Sequence, residues 1–339
     1  MTRMMTRRGM VLSIAAVLAA AGCASGTSGG SSGSDTANSS SLVKVRIPDP
    51  GNAGVLAVGK KDGSLDKALA AVGAEAVWTG SAGPFAPAAQ EMAANELDIA
   101  QGSITSAVTS LAATPVFKLF AQDAPDHIGE GVLVPAGSSI TSVKDLVGKS
   151  VAVNKGGTGE YLLRKALSWA GIPASKVTFV YLNPAQTAPV LNSGKVDAWA
   201  TWSSYSVAEV GLDNAHFVAT GGQVGSENYS VWAVRSGFAS KYPKVVDAFY
   251  QYLHDEGTKV AQDPASSINV FTTAGPQALS GNEITFDSKD IEGIGTTNPI
   301  TAAVTTQFES VATFFASEGV TKDVVNVKPY VINDVGTSS

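Results

Sequence analysis

Between residues 43 and 219 short apolar runs alternate with longer stretches whose apolar residues recur every three to four positions, and this restricts the chain to a layered α/β fold. Strands are expected at 43–47, 75–78, 98–100, 116–121, 131–134, 150–153, 177–182, 196–201, 217–219 and 230–234, with helices between most of them. Beyond Arg235 the pattern turns mainly helical, most clearly over 243–261 and 300–317. Such alternation predicts mostly parallel strands, with ligands gathering at their carboxyl ends.

The segment Gly156-Gly157-Thr158-Gly159-Glu160-Tyr161 lies where the 150–153 strand hands over to a helix that stops at Gly171 and Pro173. Leu162, Ala166 and Trp169 share one helical spacing, and Leu163, Leu167 and Ala170 another. A helix N-terminus leaves backbone N–H groups unpaired beside the positive end of the helix dipole, so such a turn can hold an anion. Glycine lets backbone approach a ligand, and Thr158 can cap the helix or donate its hydroxyl. The same residues also suit an ordinary strand-to-helix turn. Loops of small or hydroxyl-bearing residues at 49–54, 81–84 and 102–106 follow earlier strands, so four such loops on one side of a sheet would wall a cleft with donors.

Arg3, Arg7 and Arg8 open the chain, residues 10–21 are apolar, and small residues lead into Cys23, the one cysteine. This predicts a signal peptide over 1–22 ending in a lipobox, with Cys23 lipidated, although Ala20 stands where lipoboxes usually carry leucine. Residues 23–41, nearly all Ser, Gly, Thr, Ala and Asn, form the expected flexible linker behind the anchor. The remaining body, 42–335, is long enough for two lobes, and a chain with 15% charged and 44% hydrophobic residues is globular. Without the three arginines of the signal peptide, 20 basic residues face 29 acidic ones, a net charge of about −9, and no basic stripe offers a nucleic-acid surface.

Ala82-Gly83-Pro84, the run from Asn95 to Ala100 leading into Gly102-Ser103, the run from Val143 to Val153, and Lys155 to Leu163 form one recognisable set. Gly194 to Trp202, with Val196-Asp197-Ala198-Trp199 at its centre, and Val231-Trp232-Ala233-Val234-Arg235 extend it. Together they resemble the substrate-binding lipoproteins of ABC importers of the nitrate, taurine and aliphatic-sulfonate group, over nearly the whole body. The resemblance implies a two-lobe, type II periplasmic-binding-protein-like fold with a two-strand hinge, closing over a small molecule. Lobe 1 would be 42–129 and 236–335, lobe 2 would be 130–235, and the crossings would lie near 130–134 and 229–235. It further implies a non-catalytic, cofactor-free monomer, anchored outside the cytoplasm through Cys23, that passes a small anion to a permease and its ATPase.

Carried over by motif, Gly156, Gly157, Thr158 and Gly159 would hold the anionic head from lobe 2, with Gly83, Gly102 and Ser103 donating from lobe 1. Asn52 would contribute from the first loop, Trp202 would form a wall, and Tyr229 would lie near the hinge. Trp199 and Trp202 should divide between core and cleft. Two positions depart from the pattern: Trp202-Ser203-Ser204 replaces the Trp-Asp-Pro of sulfonate binders, and Ser230 stands where taurine-type members carry an acid. A desolvated ammonium needs a paired carboxylate, so Ser230 speaks against taurine. Glu160 suits the helix dipole, and Glu227 is either a ligand acceptor or a solvated loop residue.

A second binding reading stacks an aromatic acid or a thiamin-precursor pyrimidine among Trp78, Trp202, Tyr205, Tyr229 and Trp232. Enzyme readings find less: His127, His216 and His254 lack metal-ligand spacing. Gly148-Lys149-Ser150 lacks the P-loop's earlier glycine and precedes a strand. The pyrimidine-forming enzyme of related fold relies on a cysteine-rich segment that this chain does not have.

Overall fold

The computed structural model describes residues 41–337; the expected signal peptide, Cys23 and all but the last residue of the 23–41 linker lie outside them. In chain order come β1 (Val43–Pro48), α1 (Val55–Asp62), α2 (Ser64–Ala70), β2 (Ala74–Thr79), α3 (Phe85–Ala93), β3 (Ile99–Ser103), α4 (Ile104–Ala113) and β4 (Phe117–Asp123). Next are β5 (Gly131–Pro135), β6 (Ser150–Val153), α5 (Thr158–Trp169), β7 (Thr178–Tyr181), α6 (Thr187–Asn192), β8 (Ala198–Thr201), α7 (Ser203–Gly211), β9 (Ala215–Thr220) and α8 (Gly221–Val224). The chain continues with β10 (Ser230–Arg235), α9 (Ser236–Lys241), α10 (Pro243–Gln262), α11 (Gly281–Ile294), β11 (Asn298–Pro299) and α12 (Ala302–Ser317). Each of the ten strands expected from the sequence is present, and β11 is the addition.

Two assemblies repeat one plan. In the first, β1 pairs with β2, and a neighbouring sheet has the order β11-β4-β10-β3. Asp98 joins them: its N–H donates to the Arg46 carbonyl at 2.9 Å and its carboxylate accepts from the Arg46 N–H at 3.1 Å. The second is a five-stranded sheet in the order β7-β6-β8-β5-β9. Pairs β1/β2, β6/β7 and β6/β8 are parallel, whereas β10 runs antiparallel to β3 and β4, and β5 to β8 and β9. Since β3 and β4 both oppose β10, and β8 and β9 both oppose β5, the remaining strands of each sheet run the same way, so the expected mostly parallel direction is present with β5, β10 and the short β11 reversed. Each sheet takes in one strand just after the chain has left the other, and that strand enters against the direction of the βαβ strands beside it. β10, which the sequence places at the second crossing, is hydrogen-bonded into the first assembly.

Period-two alternation sends neighbouring side chains of each sheet to separate cores. Val231 and Ala233 of β10 join the cluster of Phe117, Phe308 and Phe315, while Trp232 and Val234 join that of Phe249 and Leu253. Val151 and Val153 of β6 pack on Leu162, Leu163 and Ala166 of α5, whereas Ala152 faces Trp199 and Leu191. Both sheets are covered by helices on both faces, which leaves strand ends as the places where loops can form a site. Helix α11 extends beyond the first assembly: Phe286 lies 6.5 Å from Phe217 of β9, and a side chain at Gly211 of α7 would meet Glu283 at 2.7 Å.

Candidate functional site between two helix N-termini

β3 ends at Ser103, whose hydroxyl accepts from the Ser106 N–H at 3.3 Å and so caps α4. β6 leads through the glycine turn to Thr158, the first residue of α5. Thr158 Oγ1 donates to Ser103 Oγ at 3.1 Å, so two helix N-termini carried by different sheets converge. Asn228 locks the junction, donating from Nδ2 to Thr158 Oγ1 at 3.2 Å and to Glu130 Oε2 at 2.8 Å, and accepting from Thr105 Oγ1 at 2.9 Å. Beside it opens a cavity of about 630 Å³ lined by Ser103, Ser106, Asn154, Thr158, Trp202 and Asn228, among others. It runs into a second space of about 730 Å³ that shares Pro50, Gly83, Pro84, Gln101 and Ile291 with it.

Of the residues named from sequence, Asn52, Gly83, Gly102, Ser103, Thr158 and Trp202 line the first cavity, and Gly156, Gly157, Gly159 and Tyr229 do not. The Gly156 N–H donates to Glu160 Oε2 at 2.8 Å, and the Gly159 N–H to Asn154 Oδ1 at 2.6 Å. Two amides of the turn are thus held by the chain's own acceptors. Gly156 sits at φ 65°, where a side chain is strained, and its carbonyl accepts from Thr109 Oγ1 at 2.7 Å. A side chain at Gly159 would strike the Ala200 carbonyl, so close approach of helix to strand demands glycine there.

Asn52 spends its amide on the 268–279 loop. Nδ2 donates to the carbonyls of Thr272 and Gln277, both at 2.9 Å, and Oδ1 accepts from the N–H groups of Phe271 at 2.8 Å and Thr272 at 3.0 Å. The Tyr229 ring packs edge-on against Phe308 at 5.5 Å, and its hydroxyl bonds Gln307 of α12. Trp199 is buried at 1% exposure, while Trp202, at the entry to α7, stands edge-on to Tyr205 at 5.2 Å. Glu160 is buried, pairing with Arg164 at 2.8 Å and accepting from Tyr181 at 3.0 Å, and Glu227 accepts from Ser310 at 2.8 Å.

Part of the lining is acidic. Asp126, Glu130, Asp287 and Asp290 all line the 630 Å³ cavity. Asp126 accepts the Gly129 N–H at 2.6 Å and the Ser203 hydroxyl at 2.7 Å, and Glu130 accepts from Ser226 and Asn228. Burial, and then the charge of Asp126, lift Glu130 well above the usual carboxylate range. The same two causes raise Asp290 to about 8, and burial alone raises Asp287 to about 6. Among the described residues no group of three His, Cys, Asp or Glu side chains is arranged to hold a metal ion.

Sequence reasoning missed Asn154, Asn228 and the four acids. Asn154 had a signal: it ends the 150–153 strand two residues before the glycine turn, at a strand carboxyl end. Asp126 and Glu130 sit beside the first expected crossing, whereas Asp287 and Asp290 had no signal, because α11 reaches the cavity through tertiary packing such as that against α7.

The family model described as NMT1/THI5 like matches residues 88–267. A putative aliphatic sulfonates-binding protein of Bacillus subtilis (strain 168) is 29% identical over 249 residues, 73% of this chain and 72% of that protein. The taurine-binding periplasmic protein of Escherichia coli (strain K12) is 30% identical over 156 residues, 45% of this chain and 48% of that one. Among solved structures, the alkanesulfonate-binding protein SsuA of Xanthomonas axonopodis pv. citri, bound to MOPS, superposes with a TM-score of 0.78. It is 22% identical, and the match covers 87% of this chain and 99% of that one, a likeness of fold.

Proposed function

The chain belongs to the NMT1/THI5-like family, and from that premise we propose that it is the extracytoplasmic solute-binding component of an ABC importer, taking an alkanesulfonate-type anion between two lobes. The observation that carries this reading is the junction of Ser103 and Thr158 at 3.1 Å, where α4 and α5 aim their N-termini at one cavity. Both helices are long enough to carry a dipole, and a sulfonate offers three oxygens to the hydroxyls of Ser103 and Ser106, the Asn154 amide and the Thr158 N–H that opens α5. Sulfonate-binding and taurine-binding relatives support the same ligand class.

The lobes follow the two sheet assemblies, joined by the 124–130 and 221–229 segments. A ligand that touches both favours their closed arrangement by its added contacts, and the permease reads that closure. The N-terminal sequence adds the setting: a cleaved signal peptide, a lipid on Cys23 and a flexible linker hold a monomer at the outer face of the membrane. Binding without chemical turnover is part of the proposal, and the residues lining the two cavities include neither cysteine nor histidine.

A planar aromatic or pyrimidine ligand is the second reading. It rests on Trp232 and Tyr205 in the 730 Å³ space, where the Trp232 Nε1 donor is buried without a partner. Thermal shift separates the two, since a ligand that binds only the folded state raises Tm. Ethanesulfonate, propane-1-sulfonate and butane-1-sulfonate should raise Tm while benzoate and aminopyrimidines leave it unmoved; the reverse result would replace the first reading with the second.

A further inference from the structure

Building on the sulfonate reading above, we propose that Asn228 sets the specificity of the junction: held by Glu130, its amide turns the Thr158 hydroxyl toward Ser103, and Ser103 then meets a solute only as a proton donor. The site therefore favours an oxyanion that has lost every proton over one of equal charge that keeps an acidic O–H. Ser103, Thr158, Asn228 and Glu130 all line the 630 Å³ cavity.

The direction starts at one amide. Asn228 is buried; its Nδ2 donates to Glu130 Oε2 at 2.8 Å and to Thr158 Oγ1 at 3.2 Å, while Oδ1 accepts from Thr105 Oγ1 at 2.9 Å. Turning the amide over would set Oδ1 against the carboxyl oxygen, acceptor against acceptor. Ser226 bonds the other oxygen of Glu130, Oε1, so a proton taken up there lies between Oε1 and Ser226, and Oε2 stays an acceptor. The clamp thus holds whether Glu130 is ionised or not.

From the amide the bonds run one way. Thr158 Oγ1 accepts from Asn228 and gives its own proton to Ser103 Oγ at 3.1 Å. Ser103 Oγ also accepts the Ser106 N–H at 3.3 Å, which fills its second lone pair. Its one proton is what remains, with Thr105 Oγ1 at 2.9 Å and Ser106 Oγ at 3.1 Å as partners inside the protein. A solute oxygen competes for that proton, whereas a solute O–H finds no lone pair on Ser103 and is left unpaired or displaces an existing bond.

Titration calorimetry at about pH 5 compares propane-1-sulfonate with propylphosphonate, which there carries one negative charge, like the sulfonate, and one P–OH. The unaltered protein should bind the sulfonate about tenfold or more tightly, and Asn228→Asp, which puts an acceptor where Nδ2 stood and draws the Thr158 proton back, should cut that preference to about threefold or less. Thr158→Val empties the same lone pair of Ser103 with little change of shape and should narrow the preference likewise, so the test stands even where exchange at 228 disturbs folding. A merely structural role for Asn228 would weaken both probes alike and leave their ratio unchanged. The proposal is overturned if the phosphonate binds the unaltered protein as tightly as the sulfonate, or if either variant folds and keeps the ratio; with the sulfonate still bound, either result leaves the sulfonate reading intact. No binding of either probe would remove both.

Discussion

At the scale of single residues, the cavity is a set of small polar groups whose roles differ sharply with their partners. Thr158 is buried at 4% exposure, and its hydroxyl serves both Ser103 and Asn228. Thr158→Val keeps the shape and removes that hydroxyl, so it should cost about 1–2 kcal/mol of stability and weaken propane-1-sulfonate about tenfold, measured by melting and calorimetry. Asp290 makes a prediction in pH. Its folded value, about 8, lies above the ordinary carboxylate value of about 3.9, so the folded state holds the proton more tightly. Its contribution to stability is present below pH ~4 and is lost as pH rises through about 8. Glu130 and Asp287 line the same cavity, and burial raises both, so the step is read for these acids together. Ligand-free Asp290→Asn should therefore melt higher than the unaltered protein at pH 8, with the gap closing toward pH 4; an equal or lower Tm at pH 8 would contradict the assignment.

At the scale of elements, one buried carboxylate ties three strands. Asp98, 1% exposed, pairs with Arg46 of β1 and Arg235 of β10 at 2.7 Å each, just before β3 begins. Burial pushes its pKa up, but the two guanidinium groups outweigh this and hold it below the ordinary carboxylate value. The stability it contributes is present above that value and lost as pH falls through the depressed one. Asp98→Asn leaves two arginines without their charge partner and should cost about 3 kcal/mol at pH 7, with the loss shrinking in acid, as denaturant melts at two pH values would show. The elements themselves were legible from periodicity, since apolar runs such as Val151-Ala152-Val153 admit little but a buried strand. The glycine turn was legible as a strand-to-helix junction, yet which of its N–H groups stay free depends on Glu160 and Asn154 folding back on it. Spacing alone does not report that.

For the whole molecule, the α/β layering was readable from sequence, whereas the antiparallel β5 and β10 and the placement of α11 were not, because each depends on which assembly the chain returns to. Contacts between the assemblies lie outside the cavity as well as in it. Arg164 of α5 reaches Glu318 beyond α12 at 3.1 Å, and Tyr161 packs edge-on against Phe314 and Phe315 at 5.5 and 5.8 Å. If these contacts favour closure, Glu318→Gln should weaken sulfonate binding about threefold without touching the cavity, through a smaller closed population. Solution scattering would show the ligand-free variant with a larger radius of gyration than the unaltered protein.

The measurement that bears most directly on the central claim is calorimetric titration of propane-1-sulfonate into the protein and into Asn154→Asp. The exchange keeps the Oδ1 acceptor that holds the Gly159 N–H at 2.6 Å, and replaces an amide donor at the cavity with negative charge. Saturable one-to-one binding that weakens about 30-fold or more in the variant, at nearly unchanged Tm, is the predicted result. Equal binding by both proteins would move the anion site away from the α4–α5 junction, and no binding by the unaltered protein would contradict sulfonate capture itself.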